Sequence, residues 1–115
     1  MAELIDNYDF DPVRQGTTFE RVTFDFPQED IYFLTGAGIF MQLRKTTGGI
    51  CVAEFSTENS KLKILSDYCF CFQEQIINIP ADTYWYDILI VYPDGRRDIP
   101  IGGKWQILNS VTHKK

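Results

Sequence analysis

Histidine occurs once in this 115-residue chain, as His113, and cysteine three times, as Cys51, Cys69 and Cys71. A lone imidazole near the chain end leaves Ser or Cys nucleophiles without their usual base, because nucleophile and base must be held together by rigid surroundings. An odd cysteine count without CxxC spacing argues against a disulfide framework, and the lack of a histidine cluster argues against a zinc site. The three thiols are expected to serve as small apolar side chains. No apolar run approaches the roughly 18 residues of a spanning helix, and residues 1–6 lack the basic-then-apolar plan of a secretory signal. These absences lead to the expectation of a chain made in a cytoplasm, with no membrane partner.

Clustered cations are missing too. Eleven Lys and Arg against sixteen Asp and Glu give a net charge of −5, which argues against duplex nucleic acid as a ligand, since phosphate affinity comes largely from grouped basic side chains. The charge is uneven. Residues 1–30 hold eight acids and two Arg, net −6, whereas residues 96–115 hold five cations and Asp98, net +4. Such asymmetry can orient contacts between copies, or simply describe two solvated chain ends.

Nor is there a phosphate loop. Gly36-Ala37-Gly38 lacks the third glycine and following helix of a dinucleotide turn, and Gly102-Gly103-Lys104-Trp105 resembles a Walker loop only by letters. Gly102 and Gly103 are instead expected to form a bulge or bend before the last strand. No cofactor, metal or small-molecule substrate is expected. Asp87 with Glu54 or Glu74 could form an acid and base pair if brought together, but an Asp fixing local backbone is the simpler expectation.

What the sequence has is alternation. Val22, Phe24 and Phe26, then Ile39, Met41 and Leu43, then Cys51, Ala53 and Phe55, then Leu62 and Ile64 each recur at every second position. This is the signature of half-buried strands. Tyr92-Pro93-Asp94-Gly95-Arg96 reads as a tight hairpin, with Gly95 free to take a positive φ. Thr46-Thr47-Gly48-Gly49 and Thr57-Glu58-Asn59-Ser60 supply further reversals. Strands are expected at 18–26, 38–45, 50–56, 61–65, 68–72, 76–79, 84–92, 96–101 and 104–111. The fold class is all-β, a sandwich of about seven to nine short antiparallel strands. An arm over 1–12, the sandwich over 13–112 and a polar tail over 113–115 complete the organisation. In Tyr68-Cys69-Phe70-Cys71-Phe72 both sulfurs should share one strand face and both phenyl rings the other.

The segment Tyr84-Trp85-Tyr86-Asp87-Ile88-Leu89-Ile90-Val91-Tyr92 is apolar on both faces apart from Asp87. Such a strand is either central with both faces covered, or it offers one face to another chain. Phe19, Phe24, Phe26, Phe40, Phe55, Phe70 and Phe72 read as core. Tyr84, Trp85, Tyr86 and Trp105 read as anchors of the fold or of a contact, and Asp87 as a local backbone support. Two other readings stay open: a carbohydrate-binding module, which predicts a co-planar exposed aromatic pair, and a small acidic inhibitor of a host protein made by a mobile element.

Several landmarks resemble one known family. Gln15-Gly16-Thr17-Thr18-Phe19 resembles its opening "GxTF" element, and Leu34-Thr35-Gly36 followed by Phe40-Met41-Gln42-Leu43-Arg44 resembles its "LTG…MQ(V/L)R" stretch. Ile79-Pro80-Ala81-Asp82-Thr83-Tyr84-Trp85-Tyr86-Asp87-Ile88 is similar to "IPA…Y.YDI", with Asp94-Gly95 at the hairpin tip. Gly103-Lys104-Trp105-Gln106-Ile107 with Val111-Thr112 is similar to "GKW.I…VT". Over about residues 13–112 the chain thus resembles small β-modules of tailed bacteriophages and prophages, in particular the immunoglobulin-like N-terminal domain of phage baseplate upper proteins. The resemblance implies an immunoglobulin-like sandwich and a non-enzymatic virion component. It would be assembled in the host cytoplasm and dock onto other phage structural proteins of tail, baseplate or fibre, as a homo-oligomer, with no catalytic residues to carry over.

Overall fold

Alternation becomes strand wherever one side of the pleat can be buried. The computed structural model describes residues 6–28, 31–46 and 48–112. Among these there is no helix, and the strands are β1 (Asp6–Asn7), β2 (Phe10–Arg14), β3 (Thr17–Phe19), β4 (Val22–Asp25), β5 (Gly38–Arg44), β6 (Ala53–Ser56), β7 (Leu62–Ser66), β8 (Cys69–Phe72), β9 (Gln75–Ile77), β10 (Asp82–Val91) and β11 (Arg97–Leu108). The chain is all-β, as its period of two requires. The 92–96 hairpin forms as read: Gly95 sits at φ 93° and donates its N–H to the Tyr92 carbonyl.

One layer is a large sheet ordered β1-β11-β10-β5-β6, with β2 also pairing along β11. The other layer is built from β4-β8-β7 and from β3-β9. These two pieces share one register: Thr17 opposes Ile77 and Phe19 opposes Gln75, while Val22 opposes Phe72 and Asp25 opposes Cys69. They are therefore one antiparallel ladder, interrupted where Glu20 and Arg21 face Gln73 and Glu74. Expected strand 18–26 is split at that gap.

Between the layers lies a core dominated by rings. Trp105, Tyr84, Phe70 and Phe72 are fully buried, together with Leu34, Ile39, Met41, Leu43, Leu62 and Ile88. Phe72 meets Trp105 edge-on at 5.5 Å and Phe55 at 4.9 Å between centroids, joining the small layer to the large one. Each such pair adds about 0.5–1.5 kcal/mol beyond area burial. Phe70 and Phe72 both point into this core, and Cys71, on the alternate face between Thr23 and Lys63, is itself fully covered.

Three expectations are corrected. The stretch before residue 13 is not a free arm over its described part: β1 and β2 pair in parallel with β11, and Phe10 is 3% exposed. These parallel pairings also make the large sheet mixed rather than purely antiparallel. The glycine pair does not bend the chain, because 96–101 and 104–111 merge into the single strand β11. The irregularity lies earlier, where Ile88 opposes Ile101 but Ile90 opposes Asp98. Gly103 has a different role: a Cβ there would lie 2.1 Å from the Tyr8 carbonyl oxygen, so only glycine lets the crossing between β1 and β2 pass so close. Residues 1–5 of the arm and the 113–115 tail with His113 lie outside the described residues.

Candidate functional site

Strand β10 is the centre of the large sheet, between β11 and β5, and its two faces differ. Tyr84, Tyr86, Ile88 and Ile90 point into the core, each at most 6% exposed. Trp85, Asp87 and Leu89 point the other way, onto a face that no other described element covers. Trp85 is 47% exposed there. The strand is central, but not with both faces covered, since one of its apolar faces is open among the described residues.

The registers arrange that face in rows. In one row Lys104, Trp85 and Arg44 stand side by side on β11, β10 and β5. In the next stand Gly102, Asp87, Gln42 and Glu54, the last on β6. Beyond them Leu89 lies beside Phe40, with Ile99 exposed near the β11 irregularity. Of these, all but Lys104, Gly102 and Glu54 line, together with Thr46 and Gly48 after β5, an open depression of about 380 Å³.

Its polar rim is held in place. The Arg44 guanidinium donates to the Gly49 carbonyl and to Gln42 Oε1, tying the loop to the sheet. Lys104 Nζ sits 4.7 Å from the centre of the Trp85 ring, a cation–π contact that covers one ring face. Asp87 has no hydrogen-bond or ion-pair partner among the described residues. It shares a row with Glu54, but Gln42 stands between them, which puts the two carboxylates roughly 10 Å apart at a strand spacing of about 4.8 Å. Glu74 lies in the other layer, between β8 and β9.

The remaining residues singled out in the sequence go to the core. Tyr84 donates its hydroxyl to the Pro80 carbonyl at 2.6 Å, closing the corner before β10. Tyr86 donates its hydroxyl to the Tyr8 carbonyl, and burial pushes its phenol well above the usual range. Trp105 donates its indole N–H to the Asp11 carbonyl at 2.9 Å. Tyr86 and Trp105 therefore pin the N-terminal strands onto the sheet, while Trp85 alone of the four anchors shares an open face with Asp87. Among the described residues Trp85 stacks on no second aromatic ring, so the co-planar pair of a sugar platform is not formed there.

Sequence reading did not assign Arg44, Gln42, Phe40 or Lys104 to the site. Phe40, expected in the core, is half-buried on the outer face instead: Phe40, Gln42 and Arg44 are the alternates of core residues Ile39, Met41 and Leu43, hence outward, and that alternation was present in the sequence. A second exposed group lies at one end of the sandwich. There Tyr32 packs against Tyr92 and under Arg96, whose guanidinium is 4.6 Å from its ring, and Phe33 packs against Tyr68. No family model matches the chain, and no curated protein matches it either.

Proposed function

We propose that this chain is an immunoglobulin-like docking module, a non-enzymatic structural protein of a tailed phage or prophage that acts through protein contacts in the virion. The strand wiring supports the first part. The order β4-β8-β7 in one layer and β11-β10-β5-β6 in the other, with an N-terminal strand running parallel to the last, follows the B-E-D and G-F-C-C′ arrangement of variable-type domains. The Tyr84 hydroxyl bond to Pro80, at the start of β10, has the form of the tyrosine corner of that architecture. The usual cysteine two residues later is Tyr86 here, and Trp105 on β11 fills the core in place of a tryptophan on the third strand.

One observation carries the functional part. A sandwich normally turns the polar face of each sheet to water, yet the central strand here presents Trp85 and Leu89, with Phe40 and Ile99 beside them. An exposed tryptophan beside an arginine, with apolar neighbours, is the composition of an interface hot spot. Lys104 over the indole favours a protein partner over a stacked sugar. The resemblance of residues 13–112 to phage modules supplies the particle: other tail, baseplate or fibre proteins are the partners.

The test is particle composition. In virions purified from a host carrying the gene, the wild-type chain is expected at a copy number comparable to other structural proteins. Trp85→Ala should lose incorporation while its melting temperature stays within a few degrees of wild type. A chain that remains wholly in the soluble lysate contradicts the proposal, as does normal incorporation of Trp85→Ala.

A further inference from the structure

The open face of the large sheet carries both signs of charge in adjacent rows. Lys104 and Arg44 flank Trp85 in one; Asp87 and Glu54 stand in the next, with Gly102 leaving a gap beside Asp87. A surface that alternates in this way is complementary to itself. Consider a two-fold axis in the plane of contact, crossing the strands between these two rows. Rotation about it keeps each strand column in place and exchanges the rows. Trp85 then lies over the partner's Asp87, whose carboxylate falls between Lys104 and Arg44. Each of these cations is one strand spacing, about 4.8 Å, to the side. The partner's Glu54 comes beside Arg44, and the partner's Gly102 leaves room under Lys104. The same contacts recur on the other side of the axis, as a closed dimer requires.

We infer that a second copy of this chain docks face to face on the large sheet, with the basic row of each copy on the acidic row of the other. The inference rests on the docking reading above: it makes a second copy the occupant of the open face, so that the dimer is the form that meets the other particle proteins. Size permits it. Strand β11 has 12 residues, about 40 Å at 3.4 Å per residue, so the sheet runs along the long axis of a molecule measuring 45 × 26 × 20 Å. Its broad side exceeds the roughly 800 Å² per partner of a standard interface. Pairing through two rows also accounts for an Asp87 carboxylate that no described side chain neutralises in the single chain.

A charge exchange tests the register rather than mere stickiness. Asp87→Lys puts three cations together in the contact, and Lys104→Glu puts carboxylates together, so each variant alone should dissociate at least about tenfold more readily than wild type. Both changes are on the exposed face and leave the melting temperature within a few degrees of wild type. Mixed one to one, the two variants should form a heterodimer, because Lys at 87 then meets Glu at 104 on one side of the axis and the native Asp and Lys meet on the other. Sedimentation of the single variants and of the mixture reads this directly. Wild-type protein that stays a monomer at millimolar concentration overturns the inference, as does a mixture no more associated than its components. If the monomer still enters virions through Trp85, the docking reading survives the loss of the dimer. If Trp85→Ala enters virions normally while the exchange succeeds, the dimer stands and the docking reading fails.

Discussion

Trp105, Tyr84 and Cys69 illustrate how much a single position in a pleat decides. Trp105 is fully buried and bonded through its indole N–H. Trp105→Ala should therefore cost about 3–5 kcal/mol, a large part of the 5–15 kcal/mol that holds a small domain. Tyr84→Phe removes only a hydroxyl, but it orphans the Pro80 carbonyl and should cost about 1–2 kcal/mol, seen as a lower urea midpoint with an unchanged slope. Cys69 offers a pH readout at the same scale. Burial, then the hydrogen bond to Asp25, push its thiol up to about 11. The folded state thus holds this proton more tightly than the unfolded chain, so its contribution to stability is intact below about pH 9 and is lost as pH rises toward 11. Iodoacetamide should label Cys69 in the native protein markedly more slowly at pH 8 than glutathione. Labelling at the glutathione rate would contradict the shielding assigned to it.

Elements were legible where alternation was clean and hidden where the ladder slipped. Strand β5 reads inward at Ile39, Met41 and Leu43 and outward between them, as its burial does. In β10 both faces are apolar, and the one phase marker is Asp87, whose outward position fixes Trp85 outward and Tyr84 and Tyr86 inward. Strand β2 could not be read this way. Its buried residues, Phe10 and Val13, are three apart because the pairing shifts between Trp105 and Ile107, and a spacing of three leaves no period of two to detect. The role of Gly103 was equally invisible, since it depends on Tyr8, 95 positions earlier, passing over the strand. Gly103→Ala should therefore loosen β1 and β2 and cost about 2 kcal/mol, with hydrogen exchange accelerated at Tyr8 and Lys104 first. The edge of β6 has its own guard. Asn59 accepts from the Ser56 N–H at 2.9 Å and donates to the Glu54 carbonyl at 3.0 Å, occupying backbone groups that another strand could pair with. Asn59→Ala should both lower stability and raise aggregation on heating. An unchanged aggregation onset would show that the edge needs no such cover.

At the scale of the molecule, folding redistributes the charge that the sequence keeps apart. Lys104, from the basic end of the chain, comes to stand beside Arg44 from its middle, and Asp87 and Glu54 form the neighbouring row. The sequence asymmetry between residues 1–30 and 96–115 thus says little about the surface, because β1 and β2 run along the strand that holds the late cations. The all-β class, the 92–96 hairpin and most of the core rings could be anticipated from residue order alone, though not Phe10, which lay in the expected arm, nor the outward Phe40. The open face could not, because it depends on which strands become neighbours, and that is settled by pairings far apart in sequence. That face is either a contact surface, as proposed, or ordinary solvent-facing sheet. The most direct measurement is sedimentation equilibrium of wild type, Trp85→Ala and Trp105→Ala, each with its melting temperature. Wild type is expected at twice the chain mass, Trp85→Ala at single-chain mass with a nearly unchanged melting temperature, and Trp105→Ala with a large loss of stability. A Trp85→Ala protein that melts far below wild type while keeping its mass would place Trp85 in the fold instead of the contact, and would contradict that proposal.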